Sequence, residues 1–175
     1  LRVGVGGGSL CTTRIKTGFG IPNVTCLQEV MRVAKVPVMA DGGIRTPGDV
    51  VKALAFGADF VMIGGMLAGT QPTPGTIHAK ADGTKVKQYR GMASREAQED
   101  FVGGMSEWKT SEGVSTEVPY REDQAEIIAD IVGGLRSGLT YGGANTIHEL
   151  QRKLNYVQVT AAGRIESLPH KTLKS

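Results

Sequence analysis

The chain repeats a short unit in which an apolar run of strand length is followed at once by glycines. The apolar runs occupy residues 1–5, 36–41 and 59–63, and the glycines follow at 6–8, 42–43 and 64–65. Helical patterns lie between the runs, at 22–35 and after Thr46-Pro47, which is typical of a helix start. This alternation predicts a parallel sheet with helical crossovers, in which ligands bind at the carboxyl ends of the strands.

The second half of the chain follows a different pattern. We expect a β-hairpin over residues 78–89 that turns at Asp82-Gly83, because this pair is typical of tight turns. The polar stretch 93–116 predicts a mobile lid or an irregular surface insertion. The later predictions, in chain order, are a helix at 121–135, a helix at 146–154 with a Thr146–Glu149 capping box, a strand at 156–160 and an irregular tail at 164–175.

Glycine is unusually frequent, at 25 of 175 residues, which is about twice the usual ~7%. So many glycines predict close backbone approaches, as in loops that wrap a phosphate or an ion. The net charge of +3 comes from scattered basic residues, which argues against nucleic acid or a membrane surface as a partner. No apolar run reaches the about 18 residues of a membrane span, and two cysteines make no disulfide framework, so we expect a cytoplasmic protein.

One cysteine stands in a setting suited to nucleophilic chemistry. Cys11 lies within the sequence GGGSLCTTR of residues 6–14, where backbone N–H groups and Arg14 would favour the thiolate form. The residues alone leave a second interpretation open, in which Cys11 is a small buried side chain in a turn. Cys26 falls within a helical pattern, and we predict that its role is structural.

The glycine pairs after the second and third runs predict a nucleotide site. Gly42-Gly43 and Gly64-Gly65 would let the backbone approach phosphate oxygens, and Asp41 could accept two sugar hydroxyls. Ordinary tight strand–helix turns are the alternative. The three histidines have no metal-ligand spacing, which argues against zinc. Spacing alone makes Glu112 a solvated surface residue.

Four segments together resemble the inosine-monophosphate dehydrogenase / GMP reductase family. They are GGGSLCTTR, MADGGIRTPGDVVKALAFGADFVMIGGMLAG, YRGM and GGLRSGLTYGGA, and the likeness extends from Arg2 to about His170. The family fold is a (β/α)8 barrel, usually in a tetramer, and a complete barrel has about 250 residues. The resemblance implies an α/β fold comprising the last three βα units, lid and C-terminal helices of a TIM barrel. Its parts would be βα units over 1–70, hairpin and lid over 71–120, and helices and tail over 121–175.

By this resemblance Cys11 is the nucleophile that attacks C2 of the purine, and Thr13 is a proton-transfer partner. The substrate-binding residues would be Ser9, Asp41, Gly42, Gly43, Gly64, Gly65, Tyr89, Gly91, Met92, Ala93, Lys109, Thr110, Ser111 and Gly113. The nicotinamide cofactor would contact Val5, Gly6, Met92, Trp108, Lys109 and, from the neighbouring subunit, Ser137, Gly138, Leu139 and Thr140. A potassium ion would be held by Gly6, Gly8, Cys11 and Arg14 of the loop and by Glu166, Ser167 and Leu168 of a neighbour's tail.

Two reactions in this family use the same covalent purine–cysteine adduct. The dehydrogenase oxidises IMP with NAD and hydrolyses the adduct with an Arg-Tyr pair of the lid, whereas the reductase expels ammonia from GMP and takes hydride from NADPH. The lid of this chain has no Arg-Tyr dipeptide, and its segment EWKTSEGVSTEVP resembles the reductase. We therefore expect reductive deamination of GMP to IMP in purine salvage, with Glu112 and Thr13 protonating the departing ammonia.

Other features keep the dehydrogenase reaction as the alternative. The segment VTAAGRIESLPH resembles the dehydrogenase tail, Lys109 stands where the reductase usually has Arg, and Ala93 where it has Ser. Lys lacks the bidentate fork of Arg, so recognition of the base would differ in detail. A non-catalytic purine-nucleotide binder is a third interpretation, because the first five barrel units, which activity would require, are absent. A flavin-binding barrel is less favoured, since the cysteine loop has no role there.

Overall fold

The structure, a computed structural model, describes residues 1–169. Its elements, in chain order, are β1 (Arg2–Val3), α1 (Thr13–Thr17), α2 (Asn23–Met31), β2 (Met39–Asp41), α3 (Pro47–Ala55), β3 (Phe60–Met62), β4 (Ile77–Ala79), β5 (Lys85–Arg90), α4 (Arg95–Val102), β6 (Ser115–Pro119), α5 (Ala125–Tyr141), α6 (Ile147–Arg152) and α7 (Ala161–Glu166). They form two three-stranded sheets, ordered β1-β2-β3 and β4-β5-β6. Within residues 1–169 no helix is both long and apolar enough to cross a bilayer.

The first sheet has the predicted arrangement of parallel strands with helical crossovers. β1 pairs with β2 and β2 with β3, both in parallel, while α2 and α3 connect consecutive strands. Leu27 of α2 and Ala53 of α3 pack against Val38 and Ala40 of the sheet. The small side chains let the helices lie close to the strands. All three glycine segments therefore emerge at the carboxyl edge of one packed layer.

The start of α3 is confirmed at Thr46-Pro47. The Thr46 hydroxyl accepts a hydrogen bond from the Asp49 backbone N–H at 3.3 Å, and the Asp49 carboxylate accepts one from the Thr46 N–H at 3.1 Å, which completes a capping box. Burial acts to raise the pKa of Asp49, but hydrogen bonds from Arg45 and Thr46 and the charge of Lys52 lower it overall. The carboxylate form is thus the one that caps the helix.

The helix predicted at 121–135 is found at Ala125–Tyr141, so both of its ends were wrong. In the sequence, Gly134 and Gly138 disfavour a helix, but in the structure they let α5 pack closely against α3. A Cβ at Gly134 would lie 2.4 Å from Pro47 Cβ, and one at Gly138 would lie 2.6 Å from a Val51 methyl group. These contacts with α3 stabilise the helix through positions that its intrinsic propensity disfavours.

The second sheet begins with the predicted hairpin. β4 and β5 are antiparallel, and between them Gly83 N donates to Lys80 O and Lys80 N to Thr84 O, both at 2.9 Å. The irregular insertion predicted at 93–116 is wrong in part, because it contains α4 and the start of β6. Ser94 caps α4 by accepting from Ala97 N at 3.2 Å, and β6 pairs antiparallel with β5.

Two predictions for the last part of the chain are wrong. Residues 156–160 pair with no strand in the described structure; instead the Tyr156 ring packs edge-on against Phe56, with centroids 4.8 Å apart. The tail predicted as irregular from 164 begins inside α7, which Thr160 caps by accepting from Gly163 N at 3.2 Å. The remainder of that tail, from 170, lies outside the described residues.

Candidate active site

The glycine segments that follow β1, β2 and β3 line one groove. The groove has a volume of about 780 Å³. Its lining includes most of the residues that the sequence analysis assigned to phosphate and ribose: Gly8, Ser9, Asp41, Gly42, Gly43, Gly64, Gly65 and Tyr89. The parallel sheet brings these residues together because all three segments leave it at the same edge.

Gly42 must be glycine for the loops after β1 and β2 to meet. Its φ of +89° lies in the left-handed region, and a Cβ there would lie 2.8 Å from the Gly7 carbonyl carbon. Gly43 also has a positive φ, of +77°. Backbone therefore approaches backbone at the floor of the groove, and the peptide N–H groups stay accessible to a ligand.

Tyr89 reaches the groove from the other sheet. Its hydroxyl lies 3.2 Å from Ser9 Oγ, and a Cβ at Gly64 would lie 2.9 Å from the same hydroxyl oxygen. Asp41 lines the same groove, with its carboxylate 3.6 Å from Arg2 Nε, and its side chain is about one-third exposed. Hydroxyls, glycine backbone and one carboxylate thus surround a space suited to a sugar phosphate.

A hydrogen-bonded chain of three side chains starts at the candidate nucleophile. Cys11 Sγ donates to Thr13 Oγ1 at 3.1 Å, and Thr13 Oγ1 donates to Glu112 Oε2 at 2.6 Å. All three side chains are half-buried. A proton can therefore pass between sulfur and carboxylate through one hydroxyl, which is a suitable arrangement for a nucleophile served by an acid–base group.

Backbone hydrogen bonds fix Glu112 beside this loop. Thr12 N donates to Glu112 O at 2.8 Å and Val114 N to Leu10 O at 3.0 Å, around an antiparallel bridge between Cys11 and Gly113. On its other side Glu112 N donates to Ala93 O at 3.1 Å. Glu112 is half-buried, so the solvated position that spacing alone gave it is wrong. Local spacing could not show this, because Glu112 lies 99 residues from Thr13 in sequence.

The side chain of Arg14 binds backbone carbonyls. Its guanidinium donates to Val5 O at 3.1 and 3.2 Å and to Ile21 O at 2.7 Å, so it holds the two ends of the cysteine loop together. A guanidinium cannot ligate a cation, so only the backbone carbonyl of Arg14, which accepts from Gly18 N at 3.2 Å, is left for the potassium role, and that role stays a prediction. Cys26 is buried in α2, which agrees with its predicted structural role.

The sequence analysis missed Asn23, the first residue of α2. Its Nδ2 donates to Gly42 O at 2.6 Å, and a Cβ at Gly7 or Gly43 would lie within 3 Å of its amide group. Asn23 thereby joins the loops after β1 and β2. No local pattern distinguishes it, since an Asn that follows Pro22 also suits an ordinary helix start.

A second cavity, of about 460 Å³, adjoins the cysteine site from the lid. It is lined by Ala93, Gln98, Met105, Trp108, Lys109, Thr110 and Glu112. Lys109 Nζ lies 4.9 Å from the centre of the Trp108 ring, and that ring is 81% exposed. Because Glu112 lines the cavity, a base or nicotinamide bound there would be next to the hydrogen-bonded chain Cys11–Thr13–Glu112, which we call the relay.

Two groups of predicted site residues lie elsewhere. Ser137–Thr140 belong to α5, and Glu166–Leu168 lie at the end of α7 and just after it. Neither group lines the two cavities in the described part of the chain. Both were assigned to the site of a neighbouring subunit, so their roles stay predictions.

The cysteine loop offers oxygen ligands that suit potassium. Cys11 N donates to Gly8 O at 3.1 Å and closes a turn over residues 8–11, with Gly6 shortly before it, and backbone carbonyls are the ligands that K⁺ prefers in proteins. Residues 1–169 contain no cluster of three or more His, Cys, Asp or Glu side chains that could hold a metal ion. Carbonyl ligands of this kind suit a monovalent cation, and the assignment of potassium to this loop stays a prediction.

Comparison with known proteins assigns the family. The family model for the IMP dehydrogenase / GMP reductase domain matches residues 1–170. The chain belongs to this family. It is 44% identical to inosine-5′-monophosphate dehydrogenase of Methanocaldococcus jannaschii, over 97% of this chain and 38% of that protein. It is 45% identical to human GMP reductase 2, over 91% of this chain and 47% of that protein.

Solved structures of both named enzymes are similar to this chain. A GMP reductase of Trypanosoma brucei, in complex with guanosine 5′-monophosphate, is 43% identical with a TM-score of 0.91, over 99% of this chain and 36% of that one. An inosine 5′-monophosphate dehydrogenase of Legionella pneumophila is 70% identical with a TM-score of 0.77, over 93% of this chain and 50% of that one. The chain spans half the length of these relatives or less, and its α/β fold is part of the family's TIM barrel.

Proposed function

We propose that the protein catalyses the NADPH-dependent reductive deamination of GMP to IMP and ammonia. The observation that carries this proposal is the hydrogen-bonded chain from Cys11 through Thr13 to Glu112. Reductive deamination needs a nucleophile and a proton donor for the leaving amine, but no base that activates water. The site supplies the first two from the same relay.

The substrate would bind with its 5′-phosphate at Ser9, Gly43, Gly64-Gly65 and Tyr89, which line one groove. Backbone N–H groups and hydroxyls can hold phosphate oxygens without a fixed charge. The Asp41 carboxylate would accept the ribose hydroxyls. Met92 and the Lys109–Gly113 segment would contact the base. The purine C2 is then directed toward the cysteine loop.

The chemical steps follow from the relay. The Cys11 proton moves through the Thr13 hydroxyl to Glu112, and sulfur adds to C2 of GMP. The C2–N2 bond breaks as Glu112 and Thr13 return a proton to the departing amine, which leaves as ammonia. Bound NADPH would supply the hydride to C2 as the C2–S bond breaks. An acid in this position accelerates the step by about 10²–10⁴-fold.

The lid segment has two tasks in this mechanism. It carries Glu112, whose backbone is hydrogen-bonded to both Thr12 and Ala93. It also covers the adduct, because water that reached C2 would hydrolyse it to XMP instead. A potassium ion would bind to the Gly6, Gly8 and Cys11 carbonyls. The active protein would be a homo-tetramer, in which a neighbouring subunit supplies Ser137–Thr140 to the cofactor and Glu166–Leu168 to the potassium ion.

IMP dehydrogenase is the alternative function, and the 70% identity to the Legionella enzyme of that name favours it. That reaction requires hydrolysis of the adduct, for which the family uses an Arg-Tyr pair of the lid. Residues 91–119 contain no Arg-Tyr dipeptide. Glu112, in hydrogen-bonding contact with Thr13, can return a proton to the departing amine, as the reductase reaction requires.

One assay separates the two reactions. The purified protein that contains this chain is given GMP with NADPH, or IMP with NAD, and both cofactors are followed by absorbance. We expect NADPH oxidation with one ammonium ion released per cofactor and IMP as the product. Formation of XMP from IMP and NAD, without NADPH oxidation by GMP, would establish the dehydrogenase instead.

A further inference from the structure

Lys87 of β5 is a buried cation to which the proposed mechanism gives no role. The residue is only 3% exposed. Its Nζ donates to Thr70 O at 3.0 Å, to Gln71 O at 3.1 Å and to Thr73 O. These three bonds use every N–H of the ammonium group. Its described contacts include no carboxylate, so carbonyl dipoles alone compensate the buried charge.

The carbonyls belong to the segment that begins with Gly64-Gly65, which we call the β3 loop (residues 64–73). Arg121 binds the middle of this loop, since its Nη2 donates to Met66 O at 2.7 Å and to Ala68 O at 2.6 Å. Two cationic side chains thus bind five carbonyls of one loop. Within the loop Leu67 N donates to Gly64 O at 3.0 Å, so its glycine end is tied to its anchored part.

One strand contacts both ends of the β3 loop. Lys87 and Tyr89 are two residues apart on β5, so their side chains project from the same face. Lys87 binds the far end of the loop. Tyr89 reaches the near end, where its hydroxyl lies next to Gly64 and 3.2 Å from Ser9 Oγ. The distance between Tyr89 and the glycine pair therefore depends on where Lys87 holds the loop.

We propose that Lys87 is a positioning residue for the nucleotide phosphate, an inference that rests on the proposed function. Its ammonium holds the β3 loop against β5. This contact keeps the Gly64-Gly65 backbone and the Tyr89 hydroxyl at a fixed distance from each other, so that both can bind the same phosphate. A neutral side chain of the same length would leave the Gln71 and Thr73 carbonyls without a described donor, while Thr70 O would keep its hydrogen bonds from Thr73 N and Oγ1. The end of the loop would then shift toward solvent to satisfy the two carbonyls. The cysteine loop touches this unit through Ser9, but its backbone hydrogen bonds to Glu112 and Val114 would keep Cys11 in place.

The test compares Lys87→Met with Lys85→Met in the protein that contains this chain. Lys85 lies on the same strand but is exposed, so its replacement controls for loss of a positive charge. GMP affinity is measured by calorimetry, and reactivity of Cys11 is measured separately as its rate of alkylation by iodoacetamide. Because iodoacetamide needs no phosphate site, it reports on the cysteine loop alone.

We expect the dissociation constant for GMP to rise at least tenfold in Lys87→Met and to stay within twofold in Lys85→Met. The alkylation rate of Cys11 should stay within twofold in both variants. Unchanged GMP affinity in Lys87→Met would overturn the inference. Parallel losses of affinity and alkylation would also overturn it, because they would indicate a general role in folding.

A measurement on the unsubstituted protein decides the matter if Lys87→Met does not fold. The ammonium of Lys87, labelled with ¹⁵N, should give a slowly exchanging NMR signal that shifts when GMP binds. A signal that exchanges as fast as those of surface lysines, or that is unchanged at saturating GMP, contradicts the inference. If the unsubstituted protein binds neither GMP nor IMP, that result contradicts the proposed function itself, independently of the role of Lys87.

Discussion

Thr13 and Glu112 are 99 positions apart in the chain, yet the hydroxyl and the carboxylate are 2.6 Å apart. In the proposed reaction this contact makes Glu112 the residue that returns a proton to the departing amine. We expect Glu112→Gln to lower kcat by about 10²–10⁴-fold, because an amide cannot carry the proton, while affinity for GMP changes little. Steady-state kinetics and calorimetry together check this.

The matched control is Glu107→Gln, which removes an exposed carboxylate from the same lid. It should leave kcat within twofold. Thr13→Val should slow the reaction to a similar extent as Glu112→Gln, and the double variant should be no slower than either, since both interrupt one relay. Independent, multiplicative effects of the two substitutions would argue against the relay.

Local sequence predicts only some residues of the site. Cys11 and the glycine pairs were identifiable because their chemistry is present in consecutive residues, and the parallel sheet then brings the glycine pairs into one groove with Gly8 and Ser9 of the cysteine loop. Asn23 and Lys87 could not be found in this way. Each acts through carbonyl groups of a distant segment, so only the tertiary contacts distinguish them from an ordinary helix start and a surface lysine.

The start of helix α3 is fixed by hydrogen bonds to the Asp49 carboxylate in its first turn. The Asp49 carboxylate accepts hydrogen bonds from Arg45 N and Thr46 N, which lower its pKa in the folded state against the opposing effect of burial. A lowered folded pKa stabilises the protein above the unfolded value of 3.8, and this stabilisation is lost as pH falls through the folded pKa. The cap is therefore an acid-labile contact.

We predict that Asp49→Asn lowers the free energy of unfolding at pH 7 by about 0.5–1 kcal/mol, as for loss of a capping carboxylate. The difference from the unsubstituted protein should shrink as pH falls below the unfolded pKa of 3.8 and disappear once the carboxylate of the folded protein is protonated. Urea titrations across this range measure it, with Asp130→Asn on the exposed face of α5 as the control. A difference that persisted at low pH would mean that the charge is not responsible.

The loop after β2 contains Gly42, whose replacement by alanine gives a second test. Gly42→Ala should weaken GMP binding at least about tenfold and lower stability by about 1 kcal/mol or more, because its φ is +89° and the new Cβ would lie 2.8 Å from Gly7. Gly48→Ala is the control, since a Cβ there meets only the Thr46 hydroxyl, at 3.7 Å. Equal effects of the two substitutions would contradict the close approach.

The elements that the sequence analysis predicted wrongly lack a strong local pattern. α4 and β6 lie in a polar stretch without apolar periodicity, and they are fixed by Ser94 as a cap and by pairing with β5. Residues 156–160 alternate like a strand, but a strand also needs a partner, which the alternation cannot reveal. The glycines of α5 disfavour a helix in isolation and are compensated only by packing on α3.

At the scale of the whole molecule, the chain holds part of a barrel, so its parallel sheet has two edges. β1 and β3 form those edges, and Phe60 of β3 is 55% exposed. An edge with exposed apolar side chains pairs readily with other chains. We predict that these 175 residues produced alone will self-associate, and that Phe60→Lys will reduce the association.

Light scattering after size exclusion measures the effect, and thermal unfolding shows whether the fold is retained. Phe19→Lys replaces another exposed aromatic residue that lies outside the sheet, and it should leave the association unchanged. A monomeric chain at the same concentration would show that the edges are protected in some other way.

The nucleophile and its proposed acid arrive on separate parts of the chain. Cys11 follows the first strand of the parallel sheet, whereas Glu112 enters with the stretch inserted between β3 and α5 and meets the cysteine loop through one β-bridge. Under the proposed function, the parallel sheet and its loops would bind the purine nucleotide, and the insertion would determine which reaction the nucleotide undergoes. Replacing this insertion with that of a relative, while keeping the Cys11–Gly113 bridge, should therefore convert a reductase into a dehydrogenase, or the reverse, without changes in the packing of the helices.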